Sequence, residues 1–462
     1  VAAEAESAPG AGSETARSEL VSSLVAEIAD ELARTGSSAL SLADRRELAR
    51  DLAVARLAQL ATAALARGAV PLDGEQERTI VVAVLDGLFG MGRLQRLIED
   101  PAVENIDVNG CDEVWVTRAD GTKERAAAVA EDDDQLVAMV RSAAARFGAT
   151  ERRFDAGHPE LDLRLPDGSR LSAVMGVSKR PAVSVRRHRL TTLSLADLVE
   201  LGSLSVAVAE LLAAAVRARK NVVVGGAMNS GKTTLLRALA AEIPSDERLV
   251  TIEQAYELEL DTDRSRHPDV VALEARAPNA EGKGAFPMSR LVRRALRMNA
   301  DRVIVGEVLG DEVLPMLNAM SQGRAGSMCT IHANSARGVF RRIAAYAVQA
   351  PERLPVEATN LLIAGALDFV VFLEVERGER SSPASAGTRA GIGGAARSRR
   401  RFVASVLEVV GADGLQVVAN EVFRPGPGRR AVPGSPLRAE TLAELRAEGM
   451  DPRVGTGGGY GA

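Results

Sequence analysis

Aromatic residues are scarce: they make up 3% of 462 residues, with one tryptophan and three tyrosines. Such a chain has little with which to stack the bases of a single-stranded nucleic acid. Nor is there a global excess of positive charge. The formal net charge is -5, so any surface for nucleic acid would have to be local. The two cysteines, Cys111 and Cys329, lie far apart and form no CxxC pair, which argues against a disulfide framework or a zinc site. They read as two small buried hydrophobes. No uninterrupted apolar stretch reaches the ~18 residues a bilayer span requires, and the N-terminus lacks a basic segment followed by an apolar one. The expectation is a cytoplasmic protein.

What is present is an ordinary globular composition, 46% hydrophobic and 26% charged. The length exceeds one ordinary core, so two or three domains are expected. Residues 1–16 read as a disordered tail. Leu20, Leu24, Ile28 and Leu32 then recur at helical spacing, and a second helical pattern covers 42–67. Together, residues 1–69 form a tail and helical extension. Residues 70–190 read as a smaller α/β domain. It holds the strand-like "NIDVNG" and "EVWVTR", a helix near 133–147, and a hairpin turning at "PDG", 166–168. From 191 to 375, strands such as "NVVVGG", "RLVTIE" and "RVIVGE" alternate with helical stretches, the pattern of a parallel, helix-flanked sheet. The Gly/Ser-rich, basic stretch 376–401 reads as a flexible linker. Residues 402–462 read as a closing hairpin and a loose tail with one short helix near 438–448.

The stretch "GAMNSGKT", Gly226 to Thr233, fits G-x-x-x-x-G-K-[ST] between an apolar strand and a helix. Its candidate phosphate-binding residues are Gly226, Ala227, Met228, Asn229, Ser230, Gly231, Lys232, Thr233 and Thr234. Glycines let backbone N–H groups turn inward around phosphate oxygens. Lys232 can reach the β- and γ-phosphates, and the Thr233 hydroxyl can hold Mg²⁺. The following helix aims the positive end of its dipole at the same anion.

Binding alone is not turnover, which needs an acid near the ion and a group to activate water. Glu307 ends "RVIVGE" and Glu253 ends "LVTIE". The carboxyl ends of strands are where open α/β sheets bind ligands. By position, each is either a solvated strand-end acid or a catalytic one, and two of them after a phosphate loop favour chemistry. His332, in "CTIHANS", either senses the γ-phosphate or hydrogen-bonds within a turn.

As a set, "GGAMNSGKTTLL", "LVTIEQAYEL", "RRALRMNADRVIVGEV" and "GSMCTIHANS" resemble the motifs of the type II/IV secretion ATPase superfamily. The upstream "DPAVENIDVNG", "LPDGSRL" and "PAVSVRR" resemble its CpaF-like branch, associated with Flp/Tad pilus assembly. The resemblance covers roughly residues 85–375. It implies a RecA-like ATP-hydrolysing domain preceded by an N-terminal domain, assembled as a homo-hexamer at the cytosolic face of the membrane. The implied partner is an inner-membrane platform protein, with no direct nucleic acid and membrane association through partners only. It also implies ATP with Mg²⁺, Glu253 as the water-activating acid, and Glu307 as the Walker B acid at the metal with Thr233. His332 belongs to its His box, and Arg186 matches an N-terminal-domain arginine that approaches phosphate, with Arg187 its neighbour. Arg293 and Arg297, one helical turn apart, would project to a neighbouring subunit.

Six positions depart from the family pattern. Met228 and Asn229 stand where Thr and Gly are common, Gln254 where Asp is common, and Leu309 where many relatives carry Arg. Arg324 and Ala325 occupy a stretch that more often has His or Asn followed by Asp.

Overall fold

A computed structural model describes residues 11–35, 40–119, 121–148, 153–187, 193–279, 281–321, 325–377 and 399–454. Residues 1–119 with 123–187 form one compact unit, and residues 188–462 with 120–122 form the other.

The first unit begins with three helices, α1 (Ala11–Arg34), α2 (Leu42–Ala66) and α3 (Gly74–Phe89). Leu24, Ile28 and Leu32 of α1 bury against Ala49, Ala53 and Leu57 of α2 and Ile80 and Val84 of α3. The helical stripe is thus a packed core. The tail expected through residue 16 is shorter, because α1 starts at Ala11. Once a helix is nucleated by its packed stripe, each added residue costs little. Ser41 caps α2 through the Asp44 N–H, and a capping box between Asp73 and Gln76 opens α3.

Next come α4 (Leu94–Glu99), β1 (Val103–Asn109), β2 (Val114–Arg118), β3 (Lys123–Ala126), α5 (Asp133–Phe147), β4 (Glu160–Arg164), β5 (Arg170–Val174) and β6 (Ala182–Arg186). The strands make one antiparallel sheet in the order β3-β2-β1-β6-β5-β4. Alternating burial along β4 and β5 shows a single covered face, and the β4–β5 turn uses Gly168 at φ +85°. Cys111 is buried, free and part of this core.

The second unit is built on a larger sheet. Its elements are α6 (Leu195–Glu200), α7 (Val206–Arg217), β7 (Val222–Gly226), α8 (Lys232–Ala240), β8 (Leu249–Glu253), β9 (Val270–Glu274), α9 (Met288–Ala295), β10 (Arg302–Val308), α10 (Val313–Ser321), β11 (Met328–His332), α11 (Ala336–Gln349), α12 (Val356–Ala366), β12 (Phe369–Arg377), β13 (Arg399–Asp413), β14 (Gln416–Pro425), β15 (Ala431–Pro433) and α13 (Ala439–Ala447). The order is β15-β14-β13-β12-β7-β11-β10-β8-β9. From β12 to β9 every neighbouring pair is parallel. Residues of β7 and β8 are buried throughout, as expected for strands covered on both faces by helices. The free Cys329 lies in β11, inside one of the two cores.

The C-terminal region corrects one expectation. The strands read as a closing hairpin do pair with each other, β13 with β14, and they also extend the main sheet, since residues 399–408 of β13 pair antiparallel with the whole of β12. The segment read as loose after Arg424 is also built in. β15 pairs with β14, and Leu437, Leu445, Met450 and Val454 bury in the core that α7 shares. These apolar residues are too sparse to show a period, yet each has a hydrophobic seat. Most of the expected linker, 378–398, lies outside the described residues. Among the described residues, no helix is long and apolar enough to cross a membrane.

Candidate nucleotide-binding site

The site grows from β7. A side chain at Gly225 would place its β-carbon 2.5 Å from Val339 Cγ2, and one at Gly226 would come within 2.4 Å of Ser230 Oγ. Both positions therefore require glycine. The chain then turns through Asn229 at φ +60° and Gly231 at φ +90°, with the Ser230 N–H donating to the Ala227 carbonyl at 3.3 Å. α8 starts at once, so its first N–H groups face the turn. Ser230 Oγ is buried with no hydrogen-bond partner. Met228 is exposed at the tip, and Thr233 and Thr234 are half-buried in the first turn of the helix.

Three strand ends bring charge to this loop. Lys232, 7% exposed, places Nζ 3.1 Å from the Ala227 carbonyl oxygen and 3.1 Å from His332 Nδ1. His332 Nε2 lies 2.8 Å from Glu307 Oε1, which is itself 3.9 Å from the Lys232 ammonium. Burial, and then the Lys232 charge, hold the His332 pKa below its ordinary value, while Glu307 pulls the other way. The ring is thus neutral at pH 7. Because Lys232 can only donate, Nδ1 accepts and Nε2–H donates to Glu307, which fixes the tautomer.

Glu307 owes its position to an irregularity. β10 carries one extra residue against β11 between Val305 and Val308, and the Thr330 hydroxyl donates to the Gly306 carbonyl at 2.6 Å. A bulge of this kind re-aims a side chain. Gly306 also makes room for Glu253, whose Cγ would lie 2.9 Å from a β-carbon there. Glu253 is buried. Its Oε2 accepts the N–H groups of Glu257 and Leu258, both at 2.8 Å, while Oε1 is buried without a partner. Burial pushes its pKa up to about 7 against the opposing pull of those amides.

Lys232, His332 and Glu307 therefore meet directly, with Glu253 packed beside Gly306. Arg186 belongs to the first unit, exposed at the end of β6. Its neighbour Arg187 has a local task, donating from Nη1 to the carbonyls of Asp100 and Val103. Arg293 forms an ion pair with Glu352 at 2.8 Å, and Arg297, past the end of α9, is exposed. Leu309 is exposed and its N–H donates to Glu312 Oε1; Gln254 is exposed as well. Arg324 lies outside the described residues.

The sequence reading missed one residue here. Arg401, assigned to the linker, lies in β13 and donates from Nε to the Asn229 carbonyl at 2.9 Å. The available signal was that its basic run abuts the strand-like "FVASVLEVVG".

Comparison with known proteins identifies the family. The sequence pattern of the family described as type II/IV secretion system protein matches residues 89–377. A putative conjugal transfer protein of Mycobacterium tuberculosis is 36% identical over 267 residues, covering 56% of this chain and 73% of that protein. The type IV secretion system protein VirB11 of Brucella suis is 31% identical over 315 residues, 61% of this chain and 84% of that one. Among solved structures, the Brucella suis VirB11 ATPase in complex with sulphate is 27% identical with a TM-score of 0.33, covering 68% of this chain and 95% of that chain. The Legionella pneumophila ATPase DotB is 16% identical with a TM-score of 0.47, at 69% and 80% coverage.

Proposed function

The chain belongs to the type II/IV secretion system protein family, and from that premise we propose that it is an ATP-hydrolysing motor. The system served is secretion or Flp/Tad pilus assembly of the CpaF-like kind. The motor works as a homo-hexameric ring at the cytosolic face of the membrane, held there by an inner-membrane platform protein. The observation that carries the reading is the Lys232–His332–Glu307 cluster under a glycine-bounded loop at a helix N-terminus.

In this reading the loop amides and Lys232 bind the triphosphate. Lys232 is already held by two neutral acceptors, and phosphate oxygens are stronger partners for an ammonium. Thr233 and Glu307 offer the hard oxygen ligands that Mg²⁺ takes, and the ion when bound neutralises charge on the phosphate oxygens. Glu253, with a pKa near the working pH, is suited to take a proton from the attacking water. His332 links Lys232 to Glu307, so a change at the phosphate alters the hydrogen bonding of the acid. Arg186, an exposed guanidinium at the end of β6, is the remaining candidate, with a fork of donors suited to phosphoryl oxygens. Arg186→Ala should then lower turnover steeply with little change in melting temperature.

Phosphate release from Mg·ATP by the full chain tests the proposal. Wild type should turn over, Lys232→Ala should lose on the order of 10²–10³-fold while staying folded, and single-stranded DNA should leave the rate unchanged. A second reading, a nucleic-acid translocase, draws on the relative named for conjugal transfer; stimulation by that DNA would favour it. ATP binding without turnover would favour a nucleotide-gated scaffold, the reading that the departures at Met228, Asn229 and Arg324 motivate.

A further inference from the structure

Arg401 lies outside the residues matched by the family, yet it touches the phosphate loop. It sits opposite Val375 in the pairing of β13 with β12, and β12 runs beside β7. The C-terminal addition to the sheet is therefore two strands from the one that launches the loop. Besides the 2.9 Å bond from Nε to the Asn229 carbonyl, Arg401 Cδ lies 3.4 Å from where a β-carbon on Gly231 would stand. The side chain thus covers the two residues at which the loop takes positive φ.

One of those two is not glycine. Asn229 at φ +60° occupies a region that costs an L-residue roughly 1–2 kcal/mol and costs glycine almost nothing. Asparagine visits this region more readily than most L-residues but less freely than glycine, and a bond from outside the loop helps hold it there. A peptide group is planar and trans, so anchoring the Asn229 carbonyl also fixes the direction of the Ser230 N–H. The next residue, Gly231, is the one from which α8 starts. A charged donor on that carbonyl therefore sets the loop from its outer side while the inner side stays open to an anion. A guanidinium carries a charged N–H on its own stem, at Nε, which a lysine ammonium lacks.

We propose that Arg401 is a positioning residue for nucleoside triphosphate binding: it clamps the Asn229 peptide in the anion-binding shape that a glycine would adopt unaided, and so makes affinity depend on the C-terminal strand. This rests on the nucleotide reading above. It adds a residue from outside the family region, and it accounts for how the loop keeps its shape with Asn229 in place.

Calorimetric titration of the full chain with Mg·ATP tests it in four proteins: wild type, Arg401→Ala, Asn229→Gly and the double variant. Losing a charge-assisted hydrogen bond should raise the Kd of Arg401→Ala about 10-fold, with the melting temperature without nucleotide nearly unchanged. In the Asn229→Gly background the same change should cost about 2-fold or less, because glycine holds φ +60° without help. A purely structural role for Arg401 in β13 gives equal losses in the two backgrounds. That result, or an unchanged Kd in Arg401→Ala, overturns the proposal. Should Arg401→Ala unfold, Arg401→Lys keeps the stem and charge but has no donor at the Nε position, and the same comparison applies. Failure of wild type to bind ATP would sink the nucleotide reading and this proposal together. Wild-type binding that Lys232→Ala abolishes and Arg401→Ala leaves at the wild-type Kd would sink this one alone.

Discussion

The two ends of the parallel strands in the larger sheet both bury charged and polar groups, and they treat them in opposite ways. At the amino ends the charged groups are paired, and the exception is a neutral ring, His267 just before β9, whose Nε2 is buried without a partner. Arg302, 0% exposed, forks onto both oxygens of Glu247 at 2.6 and 2.8 Å and also donates to the Val216 carbonyl at 2.7 Å. Asn221 donates to the Met320 and Ala366 carbonyls and accepts from the Ser327 N–H. At the carboxyl ends, Ser230 Oγ and Glu253 Oε1 are buried with no partner, and a lysine, a neutral histidine and a glutamate share a few bonds. A buried polar group left unmatched costs free energy, so folds retain it where a ligand completes the set. The difference separates scaffold from site within one sheet, and it puts the site where open α/β sheets place ligands.

The sharpest break of that comparison is at the scaffold end. Arg302→Ala removes the buried partner of Glu247, leaving it only the half-exposed Arg219 at 3.0 Å, and should lower the unfolding free energy by about 3 kcal/mol, read by urea denaturation. The ATP affinity of the folded protein should stay at the wild-type value; a matching loss of affinity would mean that the two ends are not separate. Glu307→Gln, at the other end, should reverse the pattern. Turnover should fall on the order of 10²-fold or more, while ATP affinity and melting temperature persist. If affinity collapses as well, Glu307 holds the strand end and not the reaction.

Glu253 gives a pH test with a defined sign. Its folded pKa of about 7 lies above the ordinary 4.5, so between those values the folded state holds a proton that the unfolded chain has released. Stability contributed at this position therefore declines as pH rises from about 4.5 to about 7 and levels off above. Glu253→Gln keeps an acceptor for the two amides and removes the buried charge. It should stabilise the protein by up to about 3 kcal/mol at pH 8, at about 1.4 kcal/mol per unit, and by nothing at pH 4. Equal gains at both pH values would contradict a raised pKa. The smallest effect is expected for Asn221→Ala, which unpairs the Ser327 N–H and two carbonyls. A loss of about 1–3 kcal/mol with unchanged turnover would place it with the scaffold.

Much of the site was legible in the sequence because it is encoded locally. An apolar strand, two glycines with no room for a β-carbon, and a helix opening on Lys232 are contiguous in the chain. Glu253, Glu307 and His332 each close a short apolar run, so a strand-by-strand reading finds them as strand ends. The first two N-terminal helices and the β4–β5 hairpin follow from periodicity and turn chemistry for the same reason.

What the tertiary structure alone decided depends on pairings between residues distant along the chain. The bond between Lys232 and His332 joins positions 100 residues apart, and that between Arg302 and Glu247 joins positions 55 apart. No local pattern specifies either. The bulge that aims Glu307 exists only as a mismatch between β10 and β11, which neither strand carries by itself. β13 reads as half of a closing hairpin, and alternation fixes the faces of such a strand but not the neighbour on its other side. Its place beside β12 is what turns Arg401 from a basic residue next to a Gly/Ser-rich stretch into a contact of the phosphate loop. The sequence by itself determined the elements and the chemistry at their ends; long-range register decided which ends meet, because that choice is made by burial and hydrogen bonding across the whole sheet.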